Sequence, residues 1–114
     1  MQKQYKIYLE DILEASEKIE IYVRGLTYEE FTKNSLVVDG IIRNLAIIGE
    51  AVKSIPSEIK KKHTDIEWKK VAGLRDIIVH KYSEVNTKII WDIVENKLPE
   101  LKKSVKKILE EIKV

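Results

Sequence analysis

The 114-residue chain has no cysteine, and that absence removes a disulfide framework, a zinc-finger site and a thiol nucleophile together. Proline and glycine are scarce as well, with two and four residues, and no low-complexity linker or internal repeat marks a boundary. One domain is therefore expected, 1–114, of a size that can bury a core without staples. No run approaches the ~18 apolar residues of a membrane span. The opening MQKQYKIYLEDILEASEKIEIY places acids where a signal peptide would have its apolar stretch, so a cytoplasmic protein is expected. Charge of one sign is also missing in bulk: 21 basic against 19 acidic residues leave a net charge of +2. Such a chain does not coat nucleic acid by its overall field, and any nucleic-acid role needs a local site. The scarcest charged residue is arginine, present only as Arg24, Arg43 and Arg75 against 18 lysines.

What the chain has in quantity is helical spacing. Tyr5, Leu9, Ile12, Leu13, Ser16, Ile19 and Val23 recur at steps of three and four, which predicts an amphipathic helix over 4–24. Thr27 followed by Glu30 has the form of a capping box opening a short helix. Val37, Val38, Ile41, Ile42, Leu45, Ile48, Val52 and Ile55 fall in one broad stripe and predict a second long helix over 35–55, ended by Pro56. A short helical turn and connection follow, with Thr64 or Asp65 as N-cap for a third helix carrying WKKVAGLRDIIVHKY. A last helix starts near Asn86 or Thr87 and runs towards Ile112, with Pro99 predicting a kink or break around 96–98. Nothing alternates over a length that supports a sheet. The fold class is all-α, an antiparallel bundle of four to five helices.

Some polar residues do not fit simple packing. With Ile41 at 0°, Asp39, Arg43 and Glu50 fall near 160°, 200° and 180° at about 100° per residue, on one line opposite the apolar stripe. A solvated face with an Asp39–Arg43 pair explains this. A functional line explains it equally, because the line is short of lysine and has the small Ala46 and Gly49 beside it, which would let another backbone approach. In the third helix Arg75 and Tyr82 lie about 20 to 40° from Val71 on its buried side, whereas Asp76 and His80 form an i,i+4 pair on the polar side. An ideal helix holds Arg75 and His80 about 140° apart. They share one site only if the arginine reaches around, the helix is distorted, or a second chain completes the pocket. His63 and its KKK run read as a satisfied residue in a solvated connection.

The segment GLRDIIVHKY, with Arg75, His80 and Tyr82, resembles the R-(x)4-H-x-Y signature of the HEPN superfamily in its HepT-like branch. RNLAIIGEAVKSIP, from Arg43 to Pro56, resembles the helix that precedes this motif, and WDIVENKLPEL, from Trp91, its closing helix. The resemblance covers most of the chain, though the first helix matches only in its length. It implies a HEPN-like helical-bundle homodimer whose motif helices border a shared cleft. Members of the branch are ribonuclease toxins or parts of two-gene modules with a minimal nucleotidyltransferase. The resemblance makes Arg75 and His80 catalytic. It makes the nucleotidyltransferase the antitoxin, which transfers AMP onto the tyrosine matching Tyr82.

These residue types suit RNA cleavage without a metal or cofactor, since the 2′-OH supplies the nucleophile. His80 can serve as base or acid, and two copies across a two-fold axis can serve as both. Arg75, permanently charged and forked, suits the phosphate oxygens. Asp76 either orients the imidazole or is an exposed helix acid. Asp39, Arg43 and Glu50 are supporting candidates for the cleft or the dimer contact. RNA, a second copy and the nucleotidyltransferase are the expected partners, with no membrane. The competing reading is a non-catalytic subunit in which Arg75 and His80 grip nucleotide phosphate for a nucleotidyltransferase; a purely structural adaptor is a third.

Overall fold

The computed structural model describes residues 4–74 and 86–112. In chain order the helices are α1 (Tyr5–Val23), α2 (Tyr28–Lys33), α3 (Ser35–Lys53), α4 (Ser57–Lys62), α5 (Trp68–Ala72), α6 (Thr87–Asp92) and α7 (Leu98–Ile112), with a π-helical turn at Ile93–Lys97 joining the last two. Among the described residues there is no strand, so the all-α expectation holds.

The apolar spacing places the core. α1 buries Leu9, Ile12 and Ile19, α3 buries Ile41, Leu45, Ile48 and Val52, and α7 buries Leu101, Val105 and Ile108. Each such side chain contributes about 1.5–3 kcal/mol on leaving water. Polar groups caught inside this layer are satisfied locally. The buried Ser16 hydroxyl donates to the Ile12 carbonyl at 2.8 Å, and the Asn44 amide donates to the Gly40 carbonyl, also at 2.8 Å.

α1 and α3 run antiparallel. Tyr22, near the end of α1, lies over Gly40, near the start of α3, with ring carbon 3.1 Å from where a Cβ would stand; at the other end Tyr8 and Ser54 share a groove. Glycine at position 40 lets that ring sit against the helix. α7 packs on α1, where the Lys102 ammonium lies 2.6 Å from Glu20 and 3.9 Å from Glu17.

The predicted capping box opens α2: the Glu30 backbone N–H donates to Thr27 Oγ1 at 3.1 Å and the Thr27 N–H donates to Glu30 Oε1 at 2.9 Å. That sets Phe31 into the core, with its ring centroid 5.0 Å from Trp91, while Tyr28 meets Trp91 edge-on at 5.7 Å. α6 starts at the expected place, because the Asn86 side chain accepts from the backbone N–H groups of Lys88 and Ile89.

Two local expectations change. α5 begins after Glu67, with no side-chain cap, rather than after Thr64 or Asp65. Ile66 is drawn into the core and the Trp68 indole N–H is tied to the His63 carbonyl at 2.9 Å, so residues 64–67 are spent on a turn. The third helix is also not uniform, since α5 stops at Ala72 and Gly73 caps it at φ −83°, ψ −2°. Glycine is the poorest helix former after proline, and it yields there. Pro99, by contrast, distorts without breaking. Its ring would collide with the carbonyl of Glu95 in a regular helix, and the preceding wide turn, where the Leu98 N–H bonds to the Ile93 carbonyl, opens that space.

Candidate active site

Arg75, Asp76, His80 and Tyr82 lie outside the described residues. The structure shows what holds the two ends of the segment that carries them. On the near side Trp68, 8% exposed, anchors α5 against α3, and Val71 and Leu74 pack on the core half-buried. On the far side Asn86 caps α6, and the Thr87 hydroxyl lies 3.3 Å from the Tyr28 hydroxyl. Trp91, one turn further, closes on Phe31 and Tyr28. The motif segment is therefore delivered from two aromatic anchors, one on each side, and its near anchor stands on α3.

The supporting residues predicted on α3 are all exposed: Asp39, Arg43 and Glu50. Asp39 and Arg43 do not form the i,i+4 pair that their spacing suggested, and Glu50 lies 3.9 Å from Lys53. Arg43 and Glu50 line a groove of about 570 Å³ with Tyr8 and Asp11 of α1 and with Ile47 and Ser54 of α3; Asp39 does not reach it. A second hollow of about 660 Å³ continues past Tyr8 and Ser54 to Tyr5 and Ile59. Tyr8 and Asp11 were not singled out from sequence. The available signal was an aromatic lying off the buried stripe of α1, one turn before an acid.

His63 has the satisfied role expected of it: the ring is largely buried, with Nε2 3.5 Å from Glu111 of α7. The lysines beside it, Lys61 and Lys62, are solvent-exposed. Among the described residues no helix is long and apolar enough to cross a membrane.

Residues 12–108 match the family described as ribonuclease HepT-like. The chain belongs to the ribonuclease HepT-like family. It is 43% identical over 106 residues to a candidate RNase of Caldanaerobacter subterraneus subsp. tengcongensis, covering 93% of this chain and 95% of that one. It is 39% identical over 108 residues to a candidate ribonuclease HepT of Thermococcus cleftensis, covering 95% and 98%. A Methanocaldococcus jannaschii protein named for both a gamma-glutamylcyclotransferase and a candidate RNase is 41% identical over 112 residues, covering 98% of this chain but 50% of that longer one. No solved structure gives a significant match. The HepT-like match takes in all of α3, α5 and the motif, so the family assignment and the motif rest on the same stretch of chain.

Proposed function

We propose that this HepT-like chain is a metal-independent endoribonuclease, the toxin of a two-component module, with Arg75 and His80 of two copies facing one cleft. The observation that supports it best is Arg75, His80 and Tyr82 at HepT spacing inside a chain of the ribonuclease HepT-like family. The names of its relatives point the same way.

In this reading the 2′-oxygen of RNA attacks the adjacent phosphorus and the 5′-oxygen of the next nucleotide leaves. One His80 takes the 2′-OH proton and the other returns a proton to the leaving oxygen. Arg75 pairs two N–H groups with the non-bridging oxygens, whose charge grows in the phosphorane. Asp76, one turn before His80, holds the imidazole in orientation.

Tyr82 is the regulatory residue. Its phenolic oxygen attacks the α-phosphorus of a nucleoside triphosphate held by the nucleotidyltransferase antitoxin, pyrophosphate departs and the phenolic proton is lost. The product places a phosphodiester charge and a nucleoside in the cleft, where they compete with RNA for Arg75.

Incubating the purified protein and its His80→Ala variant with RNA in EDTA tests the catalytic part. Cleavage by the wild type and a loss of about 10²-fold or more in the variant are expected. Equal cleavage by both, or by neither, contradicts the proposal, and nucleotide binding without cleavage would favour a docking subunit.

A further inference from the structure

The face that α1 and α3 turn away from the core is unusually apolar for a free surface. Of the large apolar side chains that the described residues leave exposed, all but Ile89 belong to these two helices, among them Tyr8 at 36%, Ile47 at 36% and Leu36 at 83%. Singly exposed apolar residues are ordinary, but a run of them along two adjacent helices marks a contact surface.

The charges on that face identify what covers it. Arg43 and Glu50 are separated by two turns of α3, and the small Ala46 and the exposed Ile47 lie midway between them. At about 1.5 Å rise per residue, the arginine stands about 5 Å to one side of that midpoint and the glutamate about 5 Å to the other. They differ by only about 20° in direction around the helix. Arg43 has no ion-pair partner among the described residues. Glu50 meets Lys53 only at 3.9 Å and in solvent, an interaction that contributes little.

We propose that α3 packs across α3 of a second copy about a two-fold axis through Ala46 and Ile47, so that each Arg43 pairs with the partner's Glu50. A cation and an anion at equal distances about a small, apolar centre are self-complementary, as a two-fold interface requires. Ala46 lets the backbones approach, Ile47 is buried at the axis, and the α1 residues Tyr8 and Asp11 lie at the margin. RNA is a poorer occupant, because Asp11 and Glu50 in the same groove repel phosphate. The inference rests on the shared-cleft dimer proposed above and adds where the two copies touch.

The test is mass in solution, by light scattering or sedimentation, on four variants of the full chain: Arg43→Glu, Glu50→Arg, the double reversal and Ile47→Arg. Circular dichroism shows that each is folded. The wild type is expected at twice 13.3 kDa. Each single reversal should raise the dimer dissociation constant about tenfold or more, and the double reversal should restore it. Ile47→Arg should give monomer. Single variants that dimerise as tightly as the wild type, a double reversal no tighter than the singles, or a monomeric wild type would each overturn the proposal. RNA cleavage is scored separately. A wild-type dimer indifferent to these changes sinks the interface while sparing the ribonuclease reading, and a dimer that behaves as expected but never cuts RNA does the reverse.

Discussion

Arginine and lysine carry the same charge, and this chain separates their uses. The 18 lysines are spread along the sequence, whereas two of the three arginines, Arg43 and Arg75, stand in the blocks that match the HepT-like pattern. A guanidinium offers a planar fork that fits phosphate or carboxylate in two contacts; an ammonium is a hydrated point. The exchange Arg75→Lys is therefore not conservative. It keeps the charge, and kcat for RNA cleavage should still fall at least about tenfold with KM much less affected, as expected when a transition-state contact is lost. Steady-state kinetics on a short RNA would show it, and an unchanged kcat would remove the fork from the mechanism. Thr27 is a structural counterpart: Thr27→Ala removes one half of the capping box on α2 and should cost about 1 kcal/mol in urea denaturation, leaving cleavage intact.

Among elements, α6 carries the clearest prediction. Asn86 accepts two backbone N–H groups at the start of the helix that follows the motif segment, at 3.0 Å and 3.2 Å. Asn86→Ala should lower stability by about 1 kcal/mol. Asn86→Asp, which keeps the acceptor and adds a favourable charge at a helix N-terminus, should not. Equal melting of the two variants would show that the cap contributes nothing.

Legibility followed range. Thr27 with Glu30, Asn86 as a cap and the buried stripes of α1 and α3 depend on neighbours within two turns, and all could be read from spacing. The start of α5 could not, because it depends on Ile66 entering a core that other helices build and on a bond from Trp68 to His63. Pro99 announced a distortion but not its form, since a widened turn and a break begin with the same clash. At the candidate site the motif was legible for the same local reason. The groove shared by Tyr8, Asp11 and Arg43 was not, because it exists only once α1 lies antiparallel on α3.

At the scale of the whole molecule, the near-neutral net charge and the nucleic-acid reading are compatible if phosphate is held by a few groups in a confined place. Each copy of an ideal motif helix separates Arg75 from His80, so a shared cleft is the simplest way to bring both to one phosphate. Control of such a site by a partner belongs at this scale too. Tyr82→Phe should cleave RNA within about threefold of the wild-type rate, because the phenol is not assigned a proton in the reaction. It should also escape inhibition when incubated with the nucleotidyltransferase and a nucleoside triphosphate, and intact-mass measurement should show no added nucleotide on the variant. A variant still modified and still inhibited would move regulation away from Tyr82. The chemistry itself leaves a signature on the RNA. Internal attack by the 2′-oxygen yields a 2′,3′-cyclic phosphate on one fragment and a 5′-hydroxyl on the other. Analysis of fragment ends by mass spectrometry after digestion in EDTA should find those termini with the wild type and none with His80→Ala, whereas 5′-phosphate ends, or the same fragments from the variant, would contradict catalysis by the Arg75 and His80 pair.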